Sequence, residues 1–293
     1  MKRSFTAACY IFIYAAVFPN SVSVLPEEPV PGSVIVIKEN DVSFLLGCTL
    51  FKDNVMVFDG FPVSDGNGNN YFLIPISHTA DPGLYSLILY YGDGHQDMRM
   101  IEIHNRQFKT MEISLNKEMT DLRSISSREK QEESEELWAL LGHNNTTIRY
   151  KQMLLHKPVK ETRVTAFYGD RRTYLYDDNS LSKTFHNGID YAVPEGTPVE
   201  AAESGIVVMA KERIITGKTI VIEHGPGIYT LYYHLSAIDA AVEDIVLKGE
   251  QIGLSGATGL ATGPHLHFEM RVFQVPVDPE FYMYSISPQV SFD

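Results

Sequence analysis

The stretch Gly263–Met270, GPHLHFEM, places two histidines one residue apart inside a run of apolar residues. Apolar and aromatic residues in such a run are typical of a buried strand. Side chains two residues apart on a strand point to the same face, so His265 and His267 share a face and Leu266 points to the other. Two parallel imidazoles either both bind a metal ion, or one binds it and the other acts as acid or base.

A second stretch, Phe185–Tyr191 or FHNGIDY, supplies further candidate ligands. His186 and Asp190 are four residues apart around a glycine that lets the backbone bend. In an extended chain this even spacing also places both side chains on one face. Imidazole nitrogens with one carboxylate oxygen suit Zn²⁺ and leave an open position for water, as in catalytic zinc sites. His234, at the end of the strand YTLYYHL, is a candidate proton handler beside such a site.

The successive segments HNGIDYAVPEGTPVEAAESGIVV, YTLYYHL and GATGLATGPHLHFEMRV closely resemble the lysostaphin-type (LytM-like) zinc metallopeptidases. That family cleaves the peptide part of bacterial cell-wall peptidoglycan. The resemblance spans about residues 160 to 280, and its combination of H-x-x-x-D with a later H-x-H is highly specific. The stretches AFYGDRR and GEQIGLSG also fall where that family has similar sequence.

The resemblance implies a role for each of five residues. His186 and Asp190 of the first motif and His267 of the second bind one zinc ion. His234 and His265 are the catalytic histidines. One imidazole of the opening pair then holds the zinc, while its neighbour handles the proton of the zinc-activated water. This chemistry needs no covalent intermediate, which suits a domain without a cysteine or a Ser nucleophile motif.

Three neighbouring residues have less specific interpretations. Glu269 shares the face of the histidine pair and either orients a ligand or packs. Tyr232 shares the face of His234 and either lines a substrate groove or packs. His224, at a strand end before a turn, is interpreted as structural.

The first residues have the pattern of an export signal. Lys2 and Arg3 precede an uncharged, mostly apolar run from Ser4 to Phe18, which is followed by small residues. The run is shorter than the ~20 residues of a membrane span, so a retained anchor is the less favoured alternative. Too few apolar residues precede Cys9 for a lipid anchor. We expect no membrane segment after cleavage, and periplasmic or secreted placement at the cell wall.

The apolar and charged shares of the 293 residues, 44% and 21%, are those of a globular protein. Short strands rich in Val, Ile, Phe and Tyr alternate with Gly, Asn and Asp turns, and Ser127 precedes a charged helical stretch. The predicted fold is mostly β, with a signal peptide at 1–23, a proline-rich segment at 24–32, an amino-terminal small antiparallel β-sandwich at 33–115, a charged helical connector at 116–158, a carboxy-terminal antiparallel β metallopeptidase domain at 159–285 and a tail at 286–293.

The net charge limits the partners that we expect, and the cysteine count limits disulfide formation. Removal of residues 1–23 takes away two basic side chains and leaves 22 basic against 37 acidic residues, a net charge of −15. Such a surface disfavours nucleic acid. Only Cys48 would remain, which excludes an intramolecular disulfide.

These features predict an exported zinc endopeptidase that hydrolyses stem peptides or cross-links of peptidoglycan. The alternative is a non-catalytic wall protein, a scaffold or activator of other wall hydrolases, which would bind little metal. The charged connector predicts either a solvated helix or a cover over the neighbouring active site that a regulatory protein would move. The cleaved bond and the oligomeric state stay open.

Overall fold

The computed structural model describes residues 22–39, 45–65, 67, 69–124, 126–143, 154–160 and 162–283. Most of the predicted export signal, residues 144–153 of the predicted connector and the predicted tail at 286–293 lie outside these residues. Within the described ranges, no helix is both long enough and apolar enough to cross a bilayer.

The amino-terminal half contains two antiparallel sheets of four strands each. Its strands are β1 (Val22–Leu25), β2 (Val34–Glu39), β3 (Leu45–Lys52), β4 (Val55–Asp59), β5 (Phe61–Ser64), β6 (Asn70–Pro75), β7 (Gly83–Tyr91) and β8 (Gln96–Ile103). The first sheet has the order β1-β2-β6-β5 and the second the order β4-β3-β7-β8.

Alternating burial gives the two sheets a shared core. Along β7, Tyr85, Leu87 and Leu89 are buried, because side chains of period two on a strand share one face. They join Ile35 and Ile74 of the first sheet in one hydrophobic cluster. The two sheets are therefore packed on each other.

Strand β1 lies where the sequence predicts the end of the export signal and the start of an irregular segment. It pairs antiparallel with β2. Val22 is buried in the shared core, and Val24 packs against it. This apolar alternation accounts for a strand that the prolines further along obscure.

The connecting region contains β9 (Thr110–Ser114), α1 (Lys117–Ser124) and α2 (Arg128–Leu141). The predicted cap of the charged helix is confirmed, because the Ser127 hydroxyl accepts the backbone N–H of Lys130 at 3.2 Å.

The carboxy-terminal half is built around one large sheet. Its elements are β10 (Arg163–Ala166), β11 (Arg171–Leu175), β12 (Leu181–Phe185), β13 (Ile189–Ala192), β14 (Pro198–Glu200), β15 (Gly205–Arg213), β16 (Gly217–Gly225), β17 (Ile228–Leu235), β18 (Ala237–Ile238), β19 (Ile245–Val246), β20 (Gln251–Leu254), β21 (Leu266–Val272), β22 (Val275–Val277) and α3 (Glu280–Met283). The large sheet has the order β10-β13-β21-β17-β16-β15-β19, with β22 paired to β21. Its strands pair antiparallel, and the predicted mostly β, antiparallel character is confirmed.

Strand β9 pairs with a strand of the carboxy-terminal half. The sequence groups it with the amino-terminal strands, but it pairs in parallel with β11, and the small sheet has the order β12-β11-β9. Local strand propensity predicts the strand and carries no information on its partner.

The first sheet is buried on both faces, which joins the two halves. Ile35 and Ile37 point into the core of the amino-terminal half, whereas Val34 and Leu73 belong to the cluster that fills the carboxy-terminal half. At its edge, Phe61 stacks on a ring of the β21–β22 turn, with ring centroids 3.4 Å apart. The large sheet therefore depends on the amino-terminal half to cover part of its core.

We predict that Leu73→Ala lowers the free energy of unfolding by about 2–5 kcal/mol, because it empties space in the shared core. Leu73 is 2% exposed, while Leu84 of the same half is 61% exposed, so Leu84→Ala is the matched control. Guanidinium titration followed by circular dichroism measures both. Equal losses for the two variants would contradict the shared core.

Candidate metal centre

Two neighbouring strands bring the candidate ligands together. β13 and β21 pair antiparallel, and their register sets Asp190 opposite His267. His186 lies in the turn between β12 and β13. A Cβ on Gly188 of that turn would lie 2.1 Å from the carbonyl oxygen of Phe268. Only glycine allows the turn to lie this close to β21, and this approach brings His186 to the other two residues.

Three candidate ligand atoms meet at this point. His186 Nε2 lies 3.0 Å from Asp190 Oδ1 and 2.9 Å from His267 Nδ1. His267 Nδ1 lies 2.7 Å from the same carboxylate oxygen. All three side chains are buried, and within the described residues they form a group that could hold a metal ion.

Hydrogen bonds on the far side of each ring decide which nitrogen faces the centre as an acceptor. His186 Nδ1 lies 2.9 Å from the carbonyl oxygen of Phe167, and His267 Nε2 lies 3.0 Å from Glu269 Oε1. Each of these nitrogens carries the proton of a neutral imidazole, because its partner can only accept. His186 Nε2, His267 Nδ1 and the Asp190 oxygen are then three acceptors at contact distance. Such a cluster requires a positive charge, either a proton on His267 or a metal ion, and its donor set suits Zn²⁺.

Asp190 is ionised and offers one carboxylate oxygen to the centre. Burial alone would raise the pKa of Asp190, but the charges and hydrogen bonds of His186 and His267 outweigh it and hold the pKa well below its ordinary value. The guanidinium of Arg172 donates to the second oxygen, Oδ2. One oxygen therefore remains for the centre.

The two carboxylates next to His267 also favour a positive charge on its ring. Burial would lower the pKa of His267, but hydrogen bonds to Asp190 and Glu269 and the charges of both carboxylates raise it to about 9. Without a metal ion, a proton supplies that charge. A metal ion that replaced the proton would find both carboxylates already ionised.

Glu269 orients His267, which is the first of the two interpretations that the sequence allows. Its Oε1 accepts from His267, and its Oε2 accepts from Arg271 Nε at 2.8 Å. Burial would raise the pKa of Glu269, but the charge of Arg271 and the hydrogen bond from His267 lower it to about 2. The carboxylate therefore stays charged and fixes the imidazole from behind.

The two remaining predicted histidines lie at the same centre. The ring centroids of His234 and His265 are 4.8 Å apart, and His265 Nε2 lies 3.9 Å from Asp190 Oδ1. His265 immediately precedes β21 and bridges to Gly256. His234, the penultimate residue of β17, has a φ of 62°, a left-handed conformation that is uncommon outside glycine and is enriched at functional sites.

Backbone carbonyls orient both of these rings. The Nδ1 atoms of His234 and His265 each lie 2.8 Å from a carbonyl oxygen, that of Thr258 and that of Gly263. Nε2 is therefore the acceptor nitrogen on each ring. Burial lowers the pKa of both histidines; for His234, with two neighbouring histidines adding to the effect, the pKa falls to about 3. Both rings are neutral bases.

Two of the less specific candidates lie in the core. His224 contacts the carbonyl oxygen of Ser204 at 3.0 Å and the Thr230 hydroxyl at 2.6 Å, which confirms its structural interpretation. The Tyr232 hydroxyl accepts the N–H of Ala202 at 2.8 Å and is fully buried. Tyr232 therefore packs and does not line a groove.

The sequence interpretation missed two neighbours of the ligands, Arg172 and Tyr233. The Tyr233 ring stacks on His267, with centroids 5.2 Å apart and an interplanar angle of 6°. Tyr233 is the register partner of His267, and this pairing of two distant strands leaves no local signal in the sequence. Arg172 stands in the quoted stretch AFYGDRR, but no local pattern connects it to Asp190.

Helix α2 packs on the sheet face that carries the centre. Leu137 and Leu141 share a buried cluster with Leu231 and Tyr233. Because Tyr233 stacks on His267, a single aromatic ring separates the helix from a candidate ligand.

Comparison with known proteins agrees with this geometry. Residues 184–279 match peptidase family M23, the lysostaphin-type family that the motifs resemble. The chain is 42% identical over 123 residues to the DD-carboxypeptidase/endopeptidase Mpg of Neisseria meningitidis serogroup B, a match that covers 42% of this chain and 27% of that protein. It is 47% identical over 93 residues to the peptidoglycan DD-endopeptidase ShyA of Vibrio cholerae serotype O1, covering 32% of this chain and 22% of that protein. The chain thus matches less than a third of the length of either relative.

One solved structure extends the likeness of fold beyond this domain. A crystal structure of a Pseudomonas aeruginosa protein assigned to peptidase M23 superposes with a TM-score of 0.61 and 24% sequence identity. It covers 87% of this chain and 95% of its own, so the shared fold includes most of the amino-terminal half.

We predict that Glu269→Gln weakens zinc binding about 10- to 100-fold, because it removes the charge that makes His267 a strong donor. Competition with a chromophoric chelator measures the affinity. Glu212, exposed on β15 of the same sheet, provides the control Glu212→Gln. An affinity of Glu269→Gln equal to that of the control would show that the far-side carboxylate does not tune the ligand.

Proposed function

We propose that this chain is an exported, zinc-dependent endopeptidase that hydrolyses peptide bonds in bacterial cell-wall peptidoglycan. The observation that carries the proposal is the convergence of His186 Nε2, Asp190 Oδ1 and His267 Nδ1 within 3.0 Å of one another. The match to family M23 and the similarity to a DD-carboxypeptidase/endopeptidase and a peptidoglycan DD-endopeptidase support the reaction and the substrate class.

In this proposal the three ligands hold one zinc ion and leave a position open. Zinc, when bound, lowers the pKa of water to about 7 and polarises a carbonyl group. Arg172 keeps Asp190 to one oxygen, and Glu269 keeps Nδ1 of His267 directed at the ion. The chain thereby fixes the ligand atoms before substrate arrives.

His265 and His234 then move the protons. Each presents Nε2 as an acceptor, because a carbonyl oxygen occupies the far side of its ring. His265, which lies nearer to Asp190 than His234 does, accepts the proton of the attacking water. One of these two imidazoles then returns a proton to the leaving amine. The positive φ of His234 is the backbone cost of aiming that ring at the centre.

The convergence of all five side chains favours an enzyme over the non-catalytic scaffold or activator. The cleaved bond belongs to a stem peptide or a cross-link, and the DD bonds in the names of the relatives are the first to assay. The pattern at residues 1–23 and the location of the substrate together support placement in the periplasm or outside the cell.

We also propose that α2 restricts access to the centre until a regulatory protein moves it. Polar contacts near the middle of the helix hold it on the carboxy-terminal half, where a Glu133 carboxylate oxygen accepts the N–H of Ile214 at 3.0 Å. One turn further, Glu136 pairs with Lys211 at 2.5 Å. These contacts can be weakened in the whole chain, which keeps the shared core covered.

Alanine variants distinguish the residues that bind the metal from those that transfer protons. His186→Ala and Asp190→Ala should lose both zinc and hydrolysis, whereas His265→Ala and His234→Ala should keep most of the zinc and lose turnover. Metal analysis and mass spectrometry of fragments released from purified wall material measure the two properties. Full hydrolysis by His265→Ala would contradict its role in proton transfer.

The access role of α2 predicts faster wall hydrolysis by the double variant Glu133→Ala, Glu136→Ala, because two of the side-chain contacts that hold the helix in place are lost. The control is Glu132→Ala, Glu135→Ala, which removes the same charge from exposed positions of the same helix. Initial rates on purified wall material compare the two. Equal rates would rule out the helix as a cover.

A further inference from the structure

A histidine of the amino-terminal half contacts the turn that carries the candidate ligand His186. His78 lies between β6 and β7, and 109 positions separate it from its contact in the carboxy-terminal half. Its Nε2 lies 3.1 Å from Asn187 Oδ1, and its ring stacks on Phe185, with centroids 4.6 Å apart and an interplanar angle of 24°. Phe185 and Asn187 are the residues on either side of the candidate ligand His186.

The contact with Asn187 has a defined direction. Burial lowers the pKa of His78, which keeps its ring neutral. A neutral ring that contacts an amide oxygen donates Nε2–H to it. Nδ1 of the same ring is buried without a hydrogen-bond partner among the described residues. An unpaired buried acceptor destabilises the folded protein, so the ring occupies this place at a cost to stability.

The ligand turn is fixed on its other sides by the backbone. The N–H of His186 donates to Asp170 O at 2.9 Å, and the N–H of Gly169 donates to His186 O at 2.7 Å. Gly188 packs against the backbone of β21. His78 adds a contact to this turn from the amino-terminal half.

We propose that His78 is a positioning residue of the metal centre. By holding Phe185 and Asn187, it fixes the turn that carries His186 and leads into β13 with Asp190, and it makes the amino-terminal half part of the centre. The inference rests on the proposed function for its metal, but its first readout is zinc binding rather than hydrolysis.

The test uses the whole chain with His78→Ala and, as control, His95→Ala. His95 lies in the exposed turn between β7 and β8 of the same half. The expected result is a zinc dissociation constant about tenfold higher for His78→Ala, as for other residues that orient ligands, and no change for His95→Ala. At saturating zinc, kcat on wall peptide should fall with little change in KM, because the misplaced centre binds substrate but turns it over slowly.

Two further variants address the same hydrogen bond. Asn187→Ala removes it from the other side and should weaken zinc binding to a similar degree, and the double variant should be little worse than either single one. His78→Gln offers an amide N–H at a similar reach and should restore most of the affinity. These variants keep the test decisive if His78→Ala folds poorly.

Unchanged zinc affinity in folded His78→Ala and Asn187→Ala would overturn the inference, and so would additive effects in the double variant. A chain that binds one zinc ion tightly but leaves wall peptide uncut would refute the proposed function instead. The effect of His78 on zinc affinity would still decide the positioning role in that case.

Discussion

The candidate centre depends on the hydrogen-bond acceptors that contact the outer nitrogen of each of its four imidazole rings. The oxygens of Phe167 and Glu269 orient the two ligand rings, and those of Thr258 and Gly263 orient the two others. Each acceptor takes the ring proton on the far side and directs the lone pair of the other nitrogen inward. Three of the four are backbone carbonyls, so the fold itself, more than further side chains, determines the direction of these lone pairs.

Parts of the chain outside the matched segment contribute to this centre. Phe167 precedes β11, which carries Arg172 and pairs with β9. The first sheet covers the same core as the large sheet, and α2 covers Tyr233. The M23 domain match spans residues 184–279, yet contacts that orient its ligands come from outside that range. In this chain the matched segment is thus shorter than the structural unit that forms the site.

The sequence predicts the parts of the site that lie in local patterns. The alternation of GPHLHFEM predicts the shared face of His265 and His267, and the bend at Gly188 predicts the approach of His186 to Asp190. What it could not predict are long-range pairings. The strand at residues 110–114 is visible from composition, but its parallel partner 61 residues further on is not. A contact such as that of His78, between surfaces distant in sequence, likewise leaves no local signal.

The central claim is that two imidazoles and one carboxylate hold one divalent ion in the buried centre. X-ray absorption spectroscopy of the folded, zinc-loaded chain, combined with its metal content, tests this most directly. We expect one zinc ion per chain, with two imidazole nitrogens and a carboxylate oxygen among its ligands. A folded chain that takes up no zinc, or whose zinc lacks imidazole ligands, would contradict it.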